Sequence, residues 1–214
     1  MIFCDKHKLL VIKNMKVGST SLEVELSQIL PSTATVTIIN PPNKNHKPRN
    51  LNGFVNHSSF LDVSKRIDLT NTVSYTIVRH PFEMVASDFF FRSEVISAGD
   101  WNQLEQNTKI QLVDMYFKNK FSNGGWFKST KNLYTIDNNI AVDNLLRYEN
   151  GIANEMNKFL PNHNLPQIPG NTYEKAYRPK NVSYHDIFDK EKLSLIADEW
   201  HWEFNNLGYI PYGI

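Results

Sequence analysis

LLVIKNMKVGSTSLEVEL, residues 9 to 26, decides the fold. Leu9, Leu10, Val11 and Ile12 form an unbroken apolar run that ends at Lys13, the pattern of a fully buried strand. Asn14 and Gly18 bound a short loop. From Ser19 onward Leu22, Leu26, Ile29 and Leu30 recur at helical spacing until Pro31 stops them. A strand, a Lys-Val-Gly-Ser-Thr loop and a helix start therefore follow one another. Such a loop either connects two elements or holds an anion, because the amides at a helix N-terminus are unpaired at the positive end of the dipole.

The same alternation continues along the chain. Residues 33 to 39 are β-branched and read as a second strand, and residues 40 to 53 as a turn-rich, polar, mobile loop. Residues 74 to 78 read as another buried strand. RHPFEMVASDFF, from Arg79, then opens a helix with Pro81 near its first position. Residues 104 to 121 form a further helix, 122 to 139 a loop, 141 to 148 a strand, and 151 to 160 and 190 to 207 the last two helices. Strands separated by helices imply one α/β domain over residues 1 to 214, with a central parallel sheet flanked by helices on both faces. Ligands of such sheets lie beyond the carboxyl ends of the strands, where KVGSTS and RHPFEMVAS both fall.

A formal net charge of +1 gives no bulk electrostatic case for nucleic acid or membrane binding, so an anion site must be local. The single cysteine, Cys4, excludes an intrachain disulfide framework and a multi-cysteine zinc site. No apolar run approaches the roughly 18 residues of a membrane span. The first residues enter a strand almost at once and leave no room for a signal peptide, so the expected location is cytoplasmic.

The loop is not a Walker A motif, because Lys16 precedes the only glycine by two residues instead of following a second one. Lys16 sits at the strand end, Gly18 permits close backbone approach, and Ser19, Thr20 and Ser21 offer amide and hydroxyl donors. Arg79 ends the later strand, and Ser87 lies eight residues on, about two helical turns further. A guanidinium fork grips a phosphate bidentately, and a serine hydroxyl completes such a site. The bland alternative is that Arg79 caps a neighbouring helix and Ser87 is a packing residue.

Taken together, KVGSTS and VRHPFEMVASDFF resemble the sulfotransferases that use 3′-phosphoadenosine 5′-phosphosulfate (PAPS), most nearly the carbohydrate branch. NHSSFLDV, residues 56 to 63, resembles the stretch that carries the general base in the uronosyl 2-O-sulfotransferases, and DEWHWEFNNLGY resembles the family's closing helix. The resemblance implies a P-loop-like sulfotransferase fold and a sulfuryl transfer from PAPS to an acceptor hydroxyl, on a saccharide, with PAP as product. It implies that Lys16, Val17, Gly18, Ser19, Thr20 and Ser21 hold the 5′-phosphosulfate and that Arg79 and Ser87 hold the 3′-phosphate. Lys16 would stabilise the leaving phosphate and His57 would take the acceptor proton, with no metal. Arg178 and Lys180, in YRPKNVSYHD, would clasp the phosphates from a basic loop, or else belong to a solvated one. Glu83 reads as a surface or structural residue and His80 as a turn residue.

Met15 stands where many relatives carry proline, which puts loop stiffness in question. The long polar loop, Trp126 and Phe127 either line an acceptor groove or simply pack. Two other readings stay open: a small-molecule kinase of the P-loop type, and a module that binds PAP or PAPS without turnover.

Overall fold

Leu9–Ile12 forms because four consecutive apolar residues have nowhere else to go: all four are buried. In the computed structural model, which describes residues 1–40, 42–121, 128–172 and 177–211, the elements run β1 (Ile2–Cys4), β2 (Leu9–Ile12), α1 (Ser19–Ile29), β3 (Thr35–Val36), α2 (Phe60–Ser64) and β4 (Val73–Val78). After these come α3 (Pro81–Phe89), α4 (Ser93–Ser97), α5 (Gln106–Phe121), β5 (Thr135–Ile136), β6 (Asn139–Ile140) and β7 (Asn144–Arg147), then α6 (Ile152–Asn157), α7 (Lys190–Glu199) and α8 (His201–Leu207). The chain divides into two compact units, Met1–Arg79 with Thr130–Glu174, and His80–Ser129 with Lys175–Ile214.

The first unit holds a five-stranded sheet in the order β3-β1-β2-β4-β7. β2, β4 and β7 are parallel, with Leu9 opposite Val73 and Val78 opposite Arg147. The sheet is nevertheless mixed, not wholly parallel as the alternation implied, because β1 runs antiparallel to both β2 and β3. The cause is a hairpin in the first twelve residues. Asp5–His7 makes one 3-10 turn, Lys8 enters the left-handed region at φ 49°, and its amide closes on the Asp5 carbonyl. Three apolar residues, a polar turn and four apolar residues were the available signal.

Other boundaries move for local reasons. The second strand shortens to Thr35–Val36, and residues 141 to 148 yield only Asn144–Arg147 as strand. Part of the expected loop at 122 to 139 is a second hairpin, β5–β6, turned by Asp137 and Asn138 with φ 50° and 62°. Two successive positive φ values are what a tight hairpin turn demands, and Asp and Asn tolerate them. The polar loop before Phe54 is anchored. Arg49 bridges the edge strand through Val36, and its guanidinium donates to the carbonyls of Ser27 (3.2 Å), Leu30 (3.0 Å) and Pro31 (3.2 Å), closing the end of α1.

The second unit is helical with an aromatic core. Phe89 meets Trp101 and Tyr116 edge-on, each at 5.4 Å between centroids, and Phe82 meets Phe204 at 5.2 Å. The single helix expected at 190 to 207 is two. Trp200 is fully buried and leaves the helical region at φ −104° and ψ 22°, so the axis breaks between α7 and α8 where the indole enters the core.

Candidate functional site

The loop between β2 and α1 is closed by its own side chains. Asn14 donates to the Ile77 carbonyl at 3.2 Å and accepts from the Met15 amide at 2.7 Å. The Ser19 hydroxyl donates back to the Asn14 carbonyl at 2.8 Å, so it serves the loop. Lys16 takes φ 59°, a left-handed conformation that costs a residue with a Cβ roughly 1–2 kcal/mol. Gly18 is the N-cap of α1 at φ 73° and, as a glycine, supplies no side-chain cap. A Cβ at Gly18 would lie 2.5 Å from Ile152 Cδ1 and 3.2 Å from the Tyr148 ring, so only glycine fits both the turn and the packing. Val17 is buried and offers backbone alone, while Thr20 and Ser21 are half-buried in the first turn.

Arg79 comes to this loop. Its side chain is buried, its Nη1 donates to the Lys16 carbonyl at 3.2 Å, and its guanidinium lies 3.9 Å from the centroid of the Tyr148 ring. The ring fixes the plane of the fork, a stacking that arginine supports and lysine does not.

His57 meets the opposite end of the loop. Its Nδ1 lies 2.9 Å from the Lys13 carbonyl, which can only accept, so Nδ1 carries the proton and Nε2 the lone pair. Asn56 Nδ2 donates to Nε2 at 3.1 Å. The Asn56 amide is itself oriented, because its Oδ1 accepts from the Lys13 ammonium. Lys13 and Glu23 form an ion pair with both side chains 1% exposed, and Glu23 also accepts from the Thr37 hydroxyl at 3.0 Å. Burial pushes His57 below the ordinary imidazole range and the nearby Lys13 ammonium adds to this, against the bond to the Lys13 carbonyl, which favours the charged ring. The imidazole is therefore held neutral, in one tautomer, with its basic nitrogen on the side away from the strand.

Ser87 belongs to the second unit and sits half-buried on α3. One turn before it, Glu83 pairs with Arg178 at 2.6 Å; one turn after it, Phe91 meets Tyr177 at 5.6 Å between centroids. The segment from Tyr177 thus lies along the α3 face that carries Ser87. Arg178 is committed to a carboxylate there, and Lys180 is exposed. His80 packs among Phe82, Tyr184, Phe204 and Tyr209, as a turn residue inside an aromatic cluster. Trp126 and Phe127 lie outside the described residues.

The loop of Lys16, with Arg79 and His57, is thus one assembly in the first unit, and Ser87 with Arg178 is another in the second. Lys13, Glu23, Asn56 and Tyr148 escaped the sequence reading. The available signals were a lysine closing an apolar strand, and a glutamate on the same helical stripe as Leu26 and Leu30. Among the described residues no helix is long and apolar enough to cross a membrane. Comparisons with family models, curated proteins and solved structures find no match to this chain.

Proposed function

We propose that the chain is a PAPS-dependent O-sulfotransferase with the P-loop-like fold of that family, acting on a hydroxyl of a carbohydrate acceptor. One observation carries the reading: three residues singled out by motif converge on a single loop, with His57 on the Lys13 carbonyl and Arg79 on the Lys16 carbonyl at its two ends. In this reading the N-terminus of α1 and Lys16 receive the 5′-phosphosulfate, and the buried guanidinium of Arg79 takes the 3′-phosphate. Transfer breaks the bond between sulfur and the bridging oxygen and forms one to the acceptor oxygen. Negative charge then grows on the departing phosphate, where Lys16 stabilises it, while His57 Nε2 takes the acceptor proton. Asn56 holds Nε2 until the acceptor hydroxyl displaces it. Ser87, Arg178 and Lys180 belong to the second unit and are read there as phosphate-holding residues.

The test is calorimetric titration with PAP, beside ATP and without metal. The expected result is micromolar PAP binding, much weaker ATP binding, and a loss of about tenfold or more in Arg79→Ala, the worth of one charge-assisted contact. No PAP binding to folded wild-type protein, or an Arg79→Ala variant that binds equally well, refutes the donor site. PAP binding with no transfer from PAPS across a saccharide screen would leave a nucleotide-binding module in its place.

A further inference from the structure

In the first unit a pocket with a cavity volume of about 340 Å³ opens at the amino ends of β2 and β4. Its rim is tied together. The Val73 amide donates to the Lys8 carbonyl at 2.9 Å, which fastens the start of β4 to the turn of the first hairpin. His7 Nδ1 donates to the His163 carbonyl and His163 Nδ1 to the His7 carbonyl, each at 2.7 Å. His163 Nε2 accepts from the buried Tyr75 hydroxyl at 2.8 Å. Burial pushes that hydroxyl up to about 12 and Asp143 adds to it, so Tyr75 remains a donor. The carboxamides of Asn71, Asn144, Asn162 and Asn164 line the pocket, and none of them hydrogen-bonds to a described residue. One such asparagine is merely solvated; four around one cavity form an array of amide donors and carbonyl acceptors. The half-buried Phe159 ring supplies the apolar wall, packed on Tyr75 at 5.2 Å between centroids. Lys6 and Lys8 leave no surplus of positive charge, because Lys8 pairs with Asp5 at 2.5 Å and acts on Asp68, while Asp143 acts on Tyr75.

We infer that this pocket binds a neutral saccharide ring, its hydroxyls on the asparagine carboxamides and its C–H face on Phe159. Each sugar hydroxyl both donates and accepts. A carboxamide presents one acceptor beside two donors, so a single asparagine meets two neighbouring hydroxyls. A pyranose also carries an apolar face, which an aromatic ring covers. A phosphate would need donors alone and an excess of cations, and this rim offers neither. The inference does not rest on the sulfuryl-transfer reading. The loop of Lys16 follows the carboxyl end of β2 and Arg79 follows that of β4, and the six residues of β4 put roughly 20 Å between the two edges. A sugar held here is anchored away from the proposed transfer site.

The experiment is an NMR titration of the whole chain with the methyl glycosides of glucose, galactose, mannose and N-acetylglucosamine, beside cyclohexanol and inorganic phosphate. Nucleotide is absent throughout, so the outcome is independent of PAP binding. At least one glycoside is expected to shift the side-chain amides of Asn71, Asn144 and Asn162, with a dissociation constant on the order of 1 mM for a ligand of this size. Cyclohexanol and phosphate should bind at least tenfold more weakly. Asn144→Leu, which removes one carboxamide, should weaken binding about tenfold. Asn162→Trp, which fills the pocket from an exposed position, should abolish the shifts. No glycoside shifting these amides at about 50 mM, cyclohexanol or phosphate bound as tightly as the best glycoside, or an Asn162→Trp protein that still binds it would each overturn the inference.

Discussion

Replacing Glu23 by Gln isolates the ion pair that stands behind His57. The carboxylate faces the Lys13 ammonium with both side chains 1% exposed, and it also accepts from Thr37. Glu23→Gln keeps the shape but takes the carboxylate counterion away from a buried cation that also donates to the Asn56 amide. Removing one partner of such a pair typically costs about 3–5 kcal/mol, because the stranded charge has lost solvent as well as its counterion. With a urea slope of about 2–3 kcal/mol per molar for a chain of this size, the unfolding midpoint should fall by about 1–2 M. The double change Lys13→Met with Glu23→Leu removes both charges and should recover most of that loss, since apolar replacement of a whole buried pair is often near neutral. Nitrogen shifts of the His57 ring provide the second readout. Wild type and both variants should show a proton on Nδ1, because the backbone carbonyl of residue 13 that fixes the tautomer is retained in each. A Glu23→Gln midpoint within about 0.3 M of wild type would mean that Lys13 is not buried against this carboxylate, and the account of the histidine would fall with it.

Two further outcomes are expected. Lys16→Gly relieves a left-handed backbone and should stabilise the fold by up to about 1 kcal/mol in urea titrations, while Lys16→Ala should not; both should lose sulfuryl transfer, so a Gly variant with full turnover would refute the role of Lys16. Lys120 gives a pH signature of definite sign. Below pH 7 it is charged in the folded and unfolded chain and the full burial cost is present; from about 7 to 10.5 the unfolded chain holds more protons, so stability should rise with pH by an amount on the order of 4 kcal/mol. Urea midpoints at pH 7 and pH 10 should therefore differ more in wild type than in Lys120→Met, and an equal rise in both would count against it.

How much of this was legible in the chain depends on how each feature works. β2 and α1 announced themselves because period and punctuation are local properties: Leu9 to Ile12, then Gly18, then Leu22 and Leu26. The three-residue β1 and two-residue β5 and β6 are too short to carry a period, and their turns were the only signal. The break at Trp200 has no sequence marker, since tryptophan is an acceptable helix residue and only burial against the core bends the backbone there. Lys16, His57 and Arg79 were singled out by motif, and the structure gathers them about one loop. Tyr148 and Asn56 act through orientation, by stacking under a guanidinium and by donating to an imidazole, and orientation has no spacing rule that a sequence can display.

Arg49 joins two functions that are usually separate. By accepting from and donating to Val36 it covers the outer flank of a two-residue edge strand, while its guanidinium holds the last carbonyls of α1. An uncovered flank is a template for a second chain, and very short edge strands with a charged cover are how sheets avoid that fate. Truncating this one side chain would therefore loosen the helix end first, while the backbone pairing that covers the sheet margin would lose the guanidinium that ties it to α1.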